Sequence, residues 1–224
     1  MAILSNLDLI RRVPLFSTLT QAQAESVAAA VIKRRFKRGE CIVEQDKKSN
    51  FLAIVLTGRA RVVTTDPRGR EVILATLKPG DYVGEMSLID NQPHSATVRA
   101  EVQTDVLILG RPEFARCLPE NSSMAYAVMK GLVQRLRQAD RKIESLALMD
   151  VYGRVARALL EFAQPDKDGQ LAIRDRVSRQ DVAKMIGASR EMVSRVMKDL
   201  EDRGFIEVAE DGSTIIKDRL NTLG

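Results

Sequence analysis

Three hydrophobic patterns follow one another along the chain. Residues 20–32 form an Ala-rich stretch with caps at its start, which predicts a short helix. From Arg35 to Leu109 the apolar residues come in short runs: Cys41–Val43, Phe51–Leu56, Ala60–Val63, Glu71–Leu74 and Asp105–Leu109. Turn signals at Arg38–Gly39, Thr57–Gly58, Asp66–Gly69 and Lys78–Gly80 separate them, and that even spacing predicts an antiparallel roll or barrel. From Ser122 to Asp150 the period becomes helical. Met129, Leu132, Leu136, Ala139, Ile143 and Leu146 step by three and four alternately, an apolar seam of about three heptads. Such a seam suits either a second copy of the chain or the roll of its own chain. Met149–Val151 is the expected hinge, and Tyr152–Phe162 a further amphipathic helix.

The most specific pattern runs from Ser178 to Val196. Ser178 is a good N-cap with Asp181 three residues on, and Val182, Ala183 and Ile186 give a buried stripe at helical spacing. Gly187 suits a sharp turn, because glycine takes a positive φ at little cost. Ser189 caps a second helix whose expected apolar face is Met192, Val193, Val196, Met197 and Leu200, with Gly204 at its end. Arg190, Glu191, Ser194 and Arg195 then point away from that face. A guanidinium matches guanine O6 and N7, and a carboxylate accepts from cytosine N4, so these residues suit base edges in a major groove. Arg179 is placed for phosphate. Helix pairs with a glycine turn also serve as plain packing elements. The short strands Phe205–Val208 and Ser213–Ile216, around the turn Glu210–Gly212, favour the DNA reader because they form a wing beside it.

Charge and composition narrow the partners. The 224 residues are 45% hydrophobic and 29% charged, as in a globular protein with one large or two ordinary domains. No apolar run approaches membrane-spanning length, and Met1–Arg12 carries no cleavable signal pattern, so no membrane partner is expected. Two cysteines, Cys41 and Cys117, are too few for a disulfide framework, which makes a cytoplasmic location the expectation. With one histidine and no CxxC pair, no metal site is expected. The net charge is +5, yet residues 151–224 hold 13 basic and 13 acidic residues, so the excess lies in residues 1–150. DNA binding must therefore rest on local clustering of Arg174, Arg176, Arg179, Lys184, Arg190 and Arg195 against Asp175, Asp181 and Glu191.

Three stretches give these parts a family likeness: Gly80–Leu88, Asp150–Arg154 and Ser189–Arg195. With the roll, the long helix and the wing, they resemble the cyclic-AMP receptor protein / fumarate-nitrate regulator superfamily over nearly the whole chain. The resemblance implies an α+β protein in three parts: a cyclic-nucleotide-binding β-roll over 1–121, a dimerisation helix over 122–150, and a winged helix-turn-helix over 151–224. It implies a homodimer on double-stranded DNA, with a TGTGA-like palindromic half-site read by Arg190, Glu191 and Arg195, and RNA polymerase as a partner if the protein activates.

The family's phosphate-binding cassette is matched by Gly84, Glu85, Met86 and Ser87, with Glu85 suited to a ribose hydroxyl. Where the family places Arg-Ser-Ala against the phosphate, this chain has His94, Ser95 and Ala96, and imidazole is a weaker, pH-dependent partner than guanidinium. Where the family places a Thr-Ser pair against adenine, this chain has Ala139 and Asp140. Asp140 and Arg141 carry the chemistry to recognise guanine, the former at N1–H and N2–H₂, the latter at O6 and N7; they also read as a solvated face. The expected allosteric ligand is cyclic di-GMP ahead of cyclic AMP, with no tightly bound cofactor. Arg99, or a basic residue of the run Lys33–Arg38, is a candidate for the missing phosphate charge, though that run also reads as the solvated face of an edge strand. Alternatives are a regulator of the same family driven by another signal or by none, and a nucleotide-sensing enzyme subunit. The last lacks support, because no nucleophile–base constellation occurs.

Overall fold

The computed structural model describes residues 5–17, 19–120, 122–165, 169–174, 177–209, 213–217 and 220, with side chains at 116–120, 122 and 123 not described. Arg176 and Asp175 of the basic cluster, the turn Glu210–Gly212 and the Cys117 side chain lie outside the described set. The chain divides into two compact units, Met1–Arg135 and Leu136–Gly224. The mixed α+β architecture expected from the sequence is the one observed.

The first unit opens with α1 (Asn6–Arg11), a 3-10 turn (Pro14–Phe16) and α2 (Gln21–Ala30). Thr20 caps α2 and forms a reciprocal capping box with Gln23. Eight strands follow: β1 (Ile32–Phe36), β2 (Cys41–Val43), β3 (Phe51–Thr57), β4 (Ala60–Thr65), β5 (Glu71–Leu77), β6 (Tyr82–Val83), β7 (Thr97–Ala100) and β8 (Thr104–Gly110). A short helix, α3 (Glu85–Asp90), sits between β6 and β7; α4 (Arg111–Glu120) and the long α5 (Ser122–Leu148) come after β8. The strands make two antiparallel sheets, ordered β1-β8-β3-β6 and β2-β7-β4-β5.

The sheet containing β3 and β8 is covered on both faces. One face shares a core with the second sheet through Ala53, Val55, Val98 and Val106. The other packs Leu52, Ile54, Leu107 and Leu109 against α1, α2, α4 and α5. Two-sided burial explains why Phe51–Leu56 is a continuous apolar run rather than an alternating one. The basic run Lys33–Arg38 is largely edge strand β1, as its solvated-face reading expected. There Arg35 and Lys33 both pair with the buried carboxylate of Asp105, at 2.7 and 3.3 Å.

The face of α5 differs in detail from the expected seam. Val128 and Leu132 pack on the roll core. The exposed apolar stripe is instead Tyr126, Met129, Val133, Leu136 and Ile143. It still steps by three and four, but with Val133 in place of Leu132, because a helix lying on a core along one face must turn that face's residues inward. Asp140, seven residues beyond Val133, falls in the same stripe.

The second unit carries α6 (Val151–Phe162), β9 (Gln164–Pro165), β10 (Leu171–Ile173), α7 (Arg179–Ile186), α8 (Arg190–Asp202), β11 (Ile206–Val208) and β12 (Thr214–Ile216). Asp150 caps α6, accepting from the Gly153 amide at 2.8 Å, so the break at Met149–Asp150 is where one helix stops and the next is capped. Val155, Leu159, Val182, Ile186, Val193, Leu200 and Ile206 form the core. The wing strands β11 and β12 pair as expected and are joined by β10 and β9 into a four-stranded sheet. β9 and β10, of two and three residues, carry no periodic signal of their own and were not expected from the sequence.

Candidate functional site

The sequence-predicted residues fall in two places. In the second unit, Ser178 caps α7 and Ser189 caps α8, their hydroxyls accepting from the Asp181 and Met192 amides at 3.0 and 3.2 Å. Gly187 between them has φ 66°, the left-handed conformation the turn requires. On α8, Val193 and Leu200 are fully buried. Their opposite face carries Arg190, Glu191 and Arg195, all exposed, with Ser194 half-buried beside them. Met192, expected on the apolar face, is 40% exposed, since the first turn of α8 extends past the core it packs on. The Glu191 carboxyl is held below its ordinary range, first by its backbone amide at the helix start, then by the Ser189 hydroxyl, with Arg190 and Arg195 adding to the effect. The start of α8 therefore presents an exposed carboxylate together with the exposed Arg190 and Arg195 guanidiniums. Arg179, at the first position of α7, is exposed as well.

In the first unit, Gly84 closes β6 and caps α3 with φ 102°. A Cβ there would come within 2.5 Å of the Phe51 carbonyl oxygen, so the start of α3 lies against β3 only because the residue is glycine. This approach carries Glu85 into the interior, where it is 1% exposed. Its Oε1 accepts from Arg135 of α5. The same guanidinium donates to the Tyr82 carbonyl and lies 5.2 Å from the centroid of the Tyr82 ring. Burial pushes the Glu85 carboxyl above its ordinary value, and Arg135 opposes that shift.

The second carboxylate oxygen, Oε2, is buried and accepts no hydrogen bond from the described residues. An unmet buried acceptor costs about 1–3 kcal/mol. The position is thus chemically suited to a ligand hydroxyl or N–H. Arg135 was not singled out from sequence, because on a helix rich in exposed Arg and Lys nothing marks the one that turns inward. Gly131, one turn earlier, was the available signal: a Cβ there would strike the Tyr82 hydroxyl.

The remaining cassette residues are placed as follows. Ser87 is buried, its hydroxyl donating to the Gln92 carbonyl at 2.6 Å, while Met86 and Ser95 are exposed and Ala96 is buried. His94 is 7% exposed, with Nε2 2.8 Å from the Ser49 hydroxyl. Burial lowers its pKa, so the imidazole is neutral near pH 7 and brings no charge to a phosphate. Arg99, the candidate substitute, is already paired with Glu71 at 3.3 Å. Asp140 and Arg141 belong to the second unit, exposed on α5 roughly one and a half helical turns beyond Arg135. Among the described residues no group of His, Cys, Asp and Glu is arranged to hold a metal, and no helix is long and apolar enough to cross a membrane.

Comparison with known proteins matches both places. Residues 33–121 match the cyclic nucleotide-binding domain, and residues 153–220 the Crp-like helix-turn-helix domain. The chain is 34% identical over 193 residues to the cAMP-activated global transcriptional regulator Vfr of Pseudomonas aeruginosa, covering 82% of this chain and 88% of that protein. It is 33% identical to the cAMP-activated global transcriptional regulator CRP of Salmonella typhimurium, covering 78% and 84% respectively. Among solved structures it is similar to the c-di-GMP responsive global regulator CLP of Xanthomonas campestris, with a TM-score of 0.74 and 25% identity over 88% of this chain and 98% of that one. With a buried cassette glutamate in one unit and a capped helix-turn-helix in the other, the chain belongs to the CRP/FNR family of cyclic-nucleotide-responsive, DNA-binding transcription regulators.

Proposed function

We propose that the protein is a homodimeric regulator that reads a TGTGA-like palindrome and whose DNA affinity is set by a cyclic nucleotide held at Glu85. The observation that carries the reading is the pairing of a buried, under-satisfied carboxylate in the roll with an exposed Arg-Glu-Arg face on α8. Residues 1–121 sense, 122–150 dimerise and 151–224 read. On DNA, Arg190 and Arg195 donate to guanine, Glu191 accepts from cytosine, and Arg179, Ser189 and Ser194 contact the backbone or support the reading set. RNA polymerase is the further partner where the protein activates.

The exposed stripe on α5 supports the dimer. A row of Tyr126, Met129, Val133, Leu136 and Ile143 open to water on one helix suits a matching helix, and a palindrome needs two readers ~34 Å apart. In that dimer the Asp140 carboxylates of both copies meet at the seam. Their repulsion destabilises it unless a ligand's N–H groups intervene. Guanine N1–H and N2–H₂ fit that demand and Arg141 fits O6 and N7, which favours cyclic di-GMP, the ligand named for the solved regulator from Xanthomonas campestris. Cyclic AMP is the second reading. It rests on Glu85, whose free oxygen suits a ribose 2′-hydroxyl of either ligand, and on curated relatives named as cAMP-activated. The neutral His94 and the Ala139 side chain count against its usual pose.

Three outcomes are expected. Arg190→Ala or Arg195→Ala weakens binding to a TGTGA palindrome by ~1–3 kcal/mol, roughly five- to 150-fold, and relaxes base preference in a gel shift; full retention of site discrimination by either variant refutes the reading set. Leu136→Glu shifts the protein to monomer in sedimentation velocity with its circular dichroism unchanged, whereas a surviving dimer places the interface elsewhere. Titration calorimetry with cyclic AMP, cyclic GMP and cyclic di-GMP gives tightest binding for cyclic di-GMP. Submicromolar cyclic AMP binding with no heat from cyclic di-GMP would reverse the effector order.

A further inference from the structure

The stretch Asp150–Arg154 stood out in the sequence, and nothing in the reading or ligand chemistry uses its arginine. Its geometry is informative. Arg154 lies in the first turn of α6, directly after the capped break from α5. Its Nη1 donates to the Ile186 carbonyl at 2.7 Å. Ile186 is the last residue of α7, so this carbonyl is one of those that a helix end leaves without an intrahelical partner. A guanidinium there makes a charge-assisted hydrogen bond and sits at the favourable end of the helix dipole.

Ile186 precedes the left-handed Gly187, and Ser189, two residues further on, is the cap of α8. The bond therefore holds the backbone at the pivot between the two helices of the reader. The same turn has a second neighbour from the long helix: a Cβ at Gly187 would lie 3.8 Å from Leu146 Cδ2. Packing between α7 and α8 rests on other groups, the buried Val182, Ala183, Ile186 and Val193. Loss of the Arg154 bond thus leaves the core in place and releases the aim of α8.

We propose that Arg154 is a positioning residue for DNA reading, which fixes the α7–α8 turn to the first turn of α6 and carries the setting of the Met149–Asp150 break to the recognition helix. A reading set must be held to within a fraction of an ångström for base discrimination, whereas non-specific binding needs only charge near phosphate. The bond acts on the first and not the second.

The test uses the full-length protein and the duplex that the wild type enriches from a random-sequence pool, so it does not depend on the TGTGA reading. Affinities for that duplex and for a scrambled one are measured by fluorescence anisotropy for wild type, Arg154→Met, Arg154→Gln and Arg154→Lys. Methionine has no donor, and the glutamine amide is uncharged and two bonds shorter than the guanidinium, so the specific-to-scrambled ratio falls roughly ten-fold or more in either, the size expected for one charged hydrogen bond. Lysine, which still reaches a carbonyl, restores it to within about three-fold. Binding to scrambled DNA changes little in all. An unchanged ratio in a folded Met or Gln variant overturns the proposal, as does a parallel loss of both affinities. Unfolding of both variants also overturns it, because Arg154 would then be a stability residue.

Discussion

The Glu85 carboxyl is buried in the roll, and much of the first unit is arranged around that fact. Removing Glu85 from water is costly, and the cost is met only in part by Arg135. The guanidinium is in turn held by the Tyr82 carbonyl and ring, and Tyr82 reaches α5 only where Gly131 leaves space. Gly84 is needed to bring Glu85 inward at all. One ion pair thus joins the short cassette helix, strand β6 and the long helix, leaving a single acceptor oxygen unmet. In the proposed reading, a ligand donor at that oxygen changes the balance of the pair, and hence the hold of the cassette on α5.

The reader was the more legible half of the sequence. Its signals are local: Ser178 and Ser189 as caps, Gly187 as the left-handed turn, and a stripe at helical spacing, all of which the structure shows in place. Local signals need no knowledge of what packs on what. The roll was legible as strands and turns, but not in its pairing, because β1 is a basic edge strand and β6 has only two residues. Where a tertiary contact decides, the pattern misled. Leu132 and Val133 are both apolar, and only the roll beneath α5 determines that Leu132 goes in and Val133 out. The same applies to Arg135. It looks like Arg137 and Arg141 in sequence and differs from them only in having Glu85 in front of it.

The departures from the family's sensing set take on a physical meaning. His94 is a neutral side chain folded onto Ser49, and Arg99 is spent on Glu71. Two guanidiniums adjoin the cassette and both have partners within it: Arg135 serves Glu85, and Arg111 donates to the Ser87 and Leu88 carbonyls. In the proposed reading, a ligand at Glu85 is recognised more through hydroxyl and base than through an arginine on its phosphate. The second unit shows a complementary economy. Charged groups that are not on α8, such as Asp150 and Arg154, close helix ends: Asp150 caps α6, and Arg154 meets the last carbonyl of α7.

The central claim is that a nucleotide at Glu85 governs the reader. It is tested most directly by measuring the affinity of the full-length protein for its selected duplex, with and without saturating cyclic di-GMP or cyclic AMP, in the wild type and in Glu85→Gln. The account predicts that one of the two nucleotides changes the wild-type dissociation constant by roughly five- to 150-fold, a coupling of about 1–3 kcal/mol, and that the glutamine variant binds DNA but loses most of that response. A wild-type affinity that neither nucleotide shifts, or a Glu85→Gln protein that responds as the wild type does, would contradict it.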